Sequence, residues 1–111
     1  MIEQEEFAQG IRDAGAEVAA AEIDLARAEA LEKQTFAKLM MIGEHQGNKT
    51  AAAQSRYADE TDEMFQARLN RGQAKGSLAA AKANYLAAEV EFKAWQSKLA
   101  STRFEKRVYG T

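Results

Sequence analysis

Apolar residues recur at steps of seven through both halves of this chain, and nothing else constrains its fold so tightly. In the first half the steps give Ile11, Val18, Leu25, Glu32 and Leu39 on one line. Its companion line is Phe7, Ala14, Ala21, Ala28, Thr35 and Ile42. In the second half the lines are Met64, Arg71, Leu78, Tyr85, Phe92, Leu99 and Ala67, Ala74, Ala81, Ala88, Trp95, Thr102. Each half pairs a line of large residues with a line dominated by Ala. Such a seam suits two helices packed antiparallel, because Ala lets the backbones approach while the large side chains fill the holes. None of the 111 residues is proline, the residue that a long helix tolerates least.

The helix breakers gather between the two halves. Gly43-Glu44-His45-Gln46-Gly47-Asn48 brings two glycines and an Asn together, and a softer break follows at Ala58-Asp59-Glu60-Thr61-Asp62. Thr61 is a good N-cap there, and Asp62 and Glu63 complement the positive end of the helix that follows. The pattern predicts a helix over about 3–42, a loop at 43–48, a short helix over about 49–58 and a second long helix over about 62–106. At 1.5 Å per residue the long helices each reach roughly 60–65 Å, so they match as the arms of a hairpin. The expected fold is all-α: one domain over 1–111, a long antiparallel, coiled-coil-like hairpin with a short helix near its tip.

Several function classes drop out. The chain has no run of 18 apolar residues, so no membrane-spanning helix is expected. Its start, MIEQEEF, is acidic where an export signal is basic and apolar. No cysteine is present, so disulfides and thiolate metal sites are excluded and a cytoplasmic location is the expectation. Gly43 to Thr50 nearly matches the phosphate-binding loop G-x-x-x-x-G-K-[ST], but Asn48 replaces the second glycine and a helical pattern precedes it where a strand is required. The chain's single histidine, His45, has no partner at ligand spacing. A di-metal helical bundle needs a Glu-x-x-His pair on each of two helices, which one histidine cannot supply. Ser55, Ser77, Ser97 and Ser101 lack a base placed by any motif. The expectation is a protein that is not an enzyme, with no cofactor, no metal and no small-molecule substrate.

A second apolar stripe is left over once the seam is satisfied. On the last helix it holds Phe65, Leu69, Ala79, Ala83, Leu86, Val90 and Ala94, with the small pair Gly72 and Gly76. On the first it holds Ala16, Ile23, Ala30 and Ala37, with Ala19, Ala26 and Met40 alongside. A bare hairpin covers one stripe per helix and leaves the other open, which implies self-association, most simply as a four-helix bundle. Glycine inside a helix costs roughly 1 kcal/mol against Ala, so close packing at Gly72 and Gly76 gives them a reason. Phe65, Leu69, Gly72, Gly76, Leu86 and Val90 are the candidate oligomer interface.

Charge is divided unevenly. Residues 1–47 carry ten acids and four bases, and residues 48–111 seven acids and eleven bases. Projected at about 100° per residue, Arg68, Arg71, Lys75, Lys82, Lys93, Arg103 and Arg107 share roughly one third of the circumference, with Glu89 interrupting. One reading pairs these bases with Glu17, Glu22, Asp24, Glu29 and Glu32 of the first helix. The other lines them against phosphates, with Arg68, Arg71, Lys75, Lys82, Arg103 and Arg107 as the candidate single-stranded DNA contacts. The aromatics Phe92 and Trp95 lie on the seam, whereas Phe104 and Tyr109 fall off it and are candidates for partner contact or base stacking.

The segment Phe92-Lys93-Ala94-Trp95-Gln96-Ser97-Lys98-Leu99-Ala100-Ser101-Thr102-Arg103 resembles the ending of a group of small helical bacteriophage proteins. Their C-terminal helix reads aromatic-x-x-Trp-x-Ser and then Ser-Thr-Arg. Lys49-Thr50 and Arg56-Tyr57-Ala58 are similar to the middle segment of the same group. The likeness covers about the second half of the chain, and Gln96 departs from it where Arg is common. Genes of this group often neighbour phage recombination genes. The resemblance therefore implies a non-enzymatic accessory protein in the cytoplasm of a bacterial host, assisting DNA recombination or replication by binding single-stranded DNA or a recombinase. An alternative is an inhibitor of a host defence or nuclease protein, its acidic first helix imitating nucleic acid. A virion or secretion-related helical structural protein is a third.

Overall fold

The computed structural model describes residues 2–109, with the side chains of 3–108. Three helices follow one another: α1 (Ile2–His45), α2 (Ala51–Asp59) and α3 (Asp62–Tyr109). The architecture is all-α, with α1 and α3 packed antiparallel and the short α2 between them. The heptad lines are the seam. Ala14, Thr35, Leu39, Met64, Ala67 and Ala81 are buried, and the remaining members are half-buried apart from exposed Arg71 and Thr102.

The helix ends depart from the sequence expectation for local reasons. The loop expected at 43–48 begins late, since α1 runs on to His45. Gly43 stays helical and is buried, with the Tyr57 side chain 2.9 Å from where its Cβ would be. The stop comes at Gly47, whose φ of 101° suits glycine alone. There the amide of Gly47 donates to the Glu44 carbonyl at 3.1 Å and that of Asn48 to the Gly43 carbonyl at 3.0 Å. Those two bonds make a Schellman cap, which satisfies carbonyls the helix end leaves open. The Asn48 side chain adds a second bond to the Gly43 carbonyl at 3.0 Å.

The short helix starts at Ala51 rather than 49, because Thr50 is its cap: extended backbone, with Oγ1 accepting from the Ala53 amide at 3.1 Å. Nine residues are too few for a stable helix in isolation. Packing of Ala58, which has no exposed surface, and a bond from Gln54 Nε2 to the Asn48 carbonyl hold it in place. Thr61 then caps α3 as its spacing predicts, accepting from the Met64 amide at 3.2 Å. At the far end α3 continues to Tyr109, past the expected stop at about 106.

The chain packs as two compact units, one over residues 20–79 and one combining 1–19 with 80–111. In the first, Leu39, Ala58, Met64 and Ala67 form a buried cluster with Phe36, Met40 and Ile42 against it. Met64 is 1% exposed and Leu39 4%, and full burial of side chains this size contributes about 1.5–3 kcal/mol each. The second unit is held by aromatics. Phe7 lies 6.0 Å from Phe92 and 5.4 Å from Trp95, ring centre to ring centre, and Phe92 stacks on Trp95 at 5.9 Å. Trp95 Nε1 donates to Glu3 Oε2 at 2.9 Å, so the indole keeps its polar edge satisfied. Ala14 and Ala81 are buried in the same unit, and the Tyr85 ring rests against Gly15.

Candidate interaction surface

Helix α3 carries the largest open apolar side chains on its outward side. Phe65 is 67% exposed, Leu86 61%, Val90 57% and Leu69 42%. Gly72 and Gly76 lie between them on the same helix, and a Cβ added at either would meet nothing within 4 Å. Packing among the described residues therefore gives these two glycines no reason, in contrast to Gly43 and its Tyr57 contact. On α1 the matching positions are smaller: Ile23 is 53% exposed, and Ala16, Ala19, Ala26, Ala30 and Ala37 are open. Met40 instead packs against the buried cluster. Leu31, Met41 and Val108 are open too, at 51%, 63% and 55%. They stand apart from the heptad lines, so the repeat carried no signal for them. Phe104 is 60% exposed, as its place off the seam implies. The side chain of Tyr109 lies outside the described residues.

The six candidate DNA-contacting bases divide into two sets. Arg68 and Arg71 are engaged: Arg68 pairs with Asp59, and Arg71 with Glu32. Arg71 Nη1 donates to Glu32 Oε1 at 3.2 Å, while Nε lies 3.0 Å from Oε2. Oε2 is buried and accepts no hydrogen bond, so it takes the Coulombic attraction without the alignment of a second bond. Arg71 and Glu32, the two charges placed on the lines of large residues, thus explain each other. Lys75, Lys82, Arg103 and Arg107 are exposed, and none forms an ion pair among the described residues.

The same division runs through the acids of α1. Glu32 pairs with Arg71, whereas Glu17, Glu22, Asp24 and Glu29 are exposed and unpaired among the described residues. The third ion pair, Lys38 to Glu63 at 2.9 Å, joins α1 to α3. With both side chains more than half exposed, it adds at most about 1 kcal/mol.

The segment that mimics a phosphate-binding loop is a helix end. The amides of Gln46, Gly47 and Asn48 all donate to carbonyls of α1, so they are not free to hold a phosphate. His45 is exposed. Among the described residues, no three metal-ligating side chains come together and no helix is long and apolar enough to cross a membrane. No family model, no curated protein and no solved structure matches the chain.

Proposed function

We propose that this chain is a non-enzymatic accessory protein that works by association, as an oligomeric helical hairpin joined through the outward side of α3. The exposure of Phe65, Leu69, Leu86 and Val90 on one helix carries this reading. Clustered apolar side chains left in water mark a surface meant for a partner. The process it serves, phage DNA recombination or replication, is supported by the resemblance of the C-terminal half alone. Lys75, Lys82, Arg103 and Arg107, exposed and unpaired among the described residues, favour weak contact with single-stranded DNA as part of that role.

Light scattering of the purified protein tests the association directly. Adding a fluorescent single-stranded oligonucleotide at low and at moderate salt tests the DNA contact. Binding through the four free bases falls steeply with salt and is lost when Lys75, Lys82 and Arg103 are reversed to Glu. A monomer at every concentration refutes the oligomer; an oligomer indifferent to DNA refutes the nucleic-acid contact. The open acids Glu17, Glu22 and Glu29 favour a second reading, in which α1 occupies the nucleic-acid surface of a host protein. Under that reading a host partner is captured by the native chain and lost when the three are neutralised.

A further inference from the structure

The open stripe of α3 has a mirror symmetry that the hairpin does not use. From Phe65 the stripe advances in alternate steps of four and three to Val90, all on one continuous helix. Counted inward from its two ends, Phe65 matches Val90 and Leu69 matches Leu86, large against large. Gly72 then matches Ala83 and Gly76 matches Ala79, small against small. Both numbers of every pair are equally far from a midpoint between Ser77 and Leu78. A two-fold contact between identical helices running in opposite directions pairs each residue with its mirror position on the other copy, so this order closes the centre with small residues and fills both ends with large ones. A parallel contact draws nothing from the mirror, since it pairs every residue with itself.

We propose that α3 docks antiparallel on the α3 of a second copy, with the two-fold axis passing between Ser77 and Leu78. The proposal rests on the oligomeric reading above and adds the occupant, direction and register. Gly76 and Ala79 sit at the crossing point, where two helices come closest and only small residues fit. The gap widens away from the crossing, and Phe65, Leu69, Leu86 and Val90 fill it. This gives Gly72 and Gly76 the neighbour that they lack among the described residues.

Charge follows the same plan. Between Phe65 and Val90 the charged residues are Arg68, Arg71, Lys75, Lys82 and Glu89, and none falls on the stripe. The line on its other side, Gln66, Gln73, Ala80 and Ala87, is also uncharged. The docking face is therefore free of charge, as interface cores are. Arg68, Lys75, Lys82 and Glu89 form the rim at steps of seven, and Glu89 is the acid that breaks an otherwise basic line. In the antiparallel register Glu89 lies opposite the second copy's Arg68, at both ends of the contact. Lys75 and Lys82 meet at the centre of the rim, where long stems carry their ammonium groups out to water.

Single cysteines test the register cleanly, because the chain has none of its own. Leu69→Cys and Leu86→Cys are made as separate proteins, mixed and oxidised, and the products are weighed. The antiparallel register brings these two positions together, yet holds each roughly 25 Å from its own copy. Mixed disulfide is expected at about tenfold or more over either self-linked product, since sulfurs so far apart cannot bond. Gln66→Cys with Ala87→Cys repeats the test while keeping all four large side chains. Self-linking of Leu69→Cys alone means a parallel contact and overturns the proposal. A native chain that scatters as a dimer, with no cross-link from either mixture, also overturns it and leaves the oligomeric reading standing. A native chain that scatters as a monomer overturns both.

Discussion

Replacing Gly43 by Ala sets two well-defined effects against each other. In an ordinary helical site the change stabilises by about 1 kcal/mol, since Ala forms helix better than Gly. At Gly43 the added Cβ would lie 2.9 Å from Tyr57 Cδ1, 3.2 Å from Cγ and 3.3 Å from Cβ. Carbon atoms pack best at about 3.5–4.0 Å, so the nearest contact is short by about 0.6 Å. Rotating the ring relieves Cδ1 but not the Tyr57 Cβ, which is bonded to the backbone of α2. That backbone is tied down by the Thr50 cap and by the Gln54 bond to Asn48. Overpacking of this kind costs about 1–3 kcal/mol, and the backbone contact puts Gly43 in the upper part of that range. The expected net result is a loss of about 1–2 kcal/mol, read from urea unfolding followed by circular dichroism. In a Tyr57→Ala background the two ring contacts are gone and only the 3.3 Å contact to Cβ remains, so the same change should come close to neutral, the helix gain of about 1 kcal/mol offsetting that contact. Equal effects in the two backgrounds, or a gain in the native one, would mean that Tyr57 does not crowd Gly43.

Gly76→Ala is the matching control: nothing lies within 4 Å of its added Cβ, so the dilute protein should gain about 1 kcal/mol by the same unfolding assay. Arg71→Met leaves the largely buried carboxylate of Glu32, 17% exposed, without its cation. A loss of about 1 kcal/mol is expected, discounted for the half-exposed arginine, and Glu32→Gln in the same background should restore part of it. Trp95→Phe keeps most of the ring packing but removes the bond to Glu3, costing about 0.5–1.5 kcal/mol; Trp95→Ala opens the aromatic cluster and costs about 3 kcal/mol or more. Phe65→Asp places a charge on an open site, so unfolding of the dilute protein should barely change while the scattering mass falls to that of one chain.

Much of this fold is written in local chemistry. The heptad lines from Phe7 to Ile42 and from Met64 to Thr102 were enough to find the seam, since a period near 3.5 permits only one buried side on each helix. Thr61 was legible as a cap because its hydroxyl serves an amide three residues on. Gly43 was not. Its type reads as a helix breaker, and only the approach of Tyr57 from another helix turns it into a packing position. The basic stripe was half legible for a similar reason: its side of α3 follows from spacing, but the engagement of Arg68 with Asp59 and Arg71 with Glu32 depends on neighbours that stand on other helices. Sequence alone determined that two helices must zip along Ala-rich lines and that a second apolar stripe would remain. That nothing among the described residues covers Phe65, Leu69, Gly72 and Gly76 was set by tertiary packing, because periodicity says which side chains face together and not what stands opposite them.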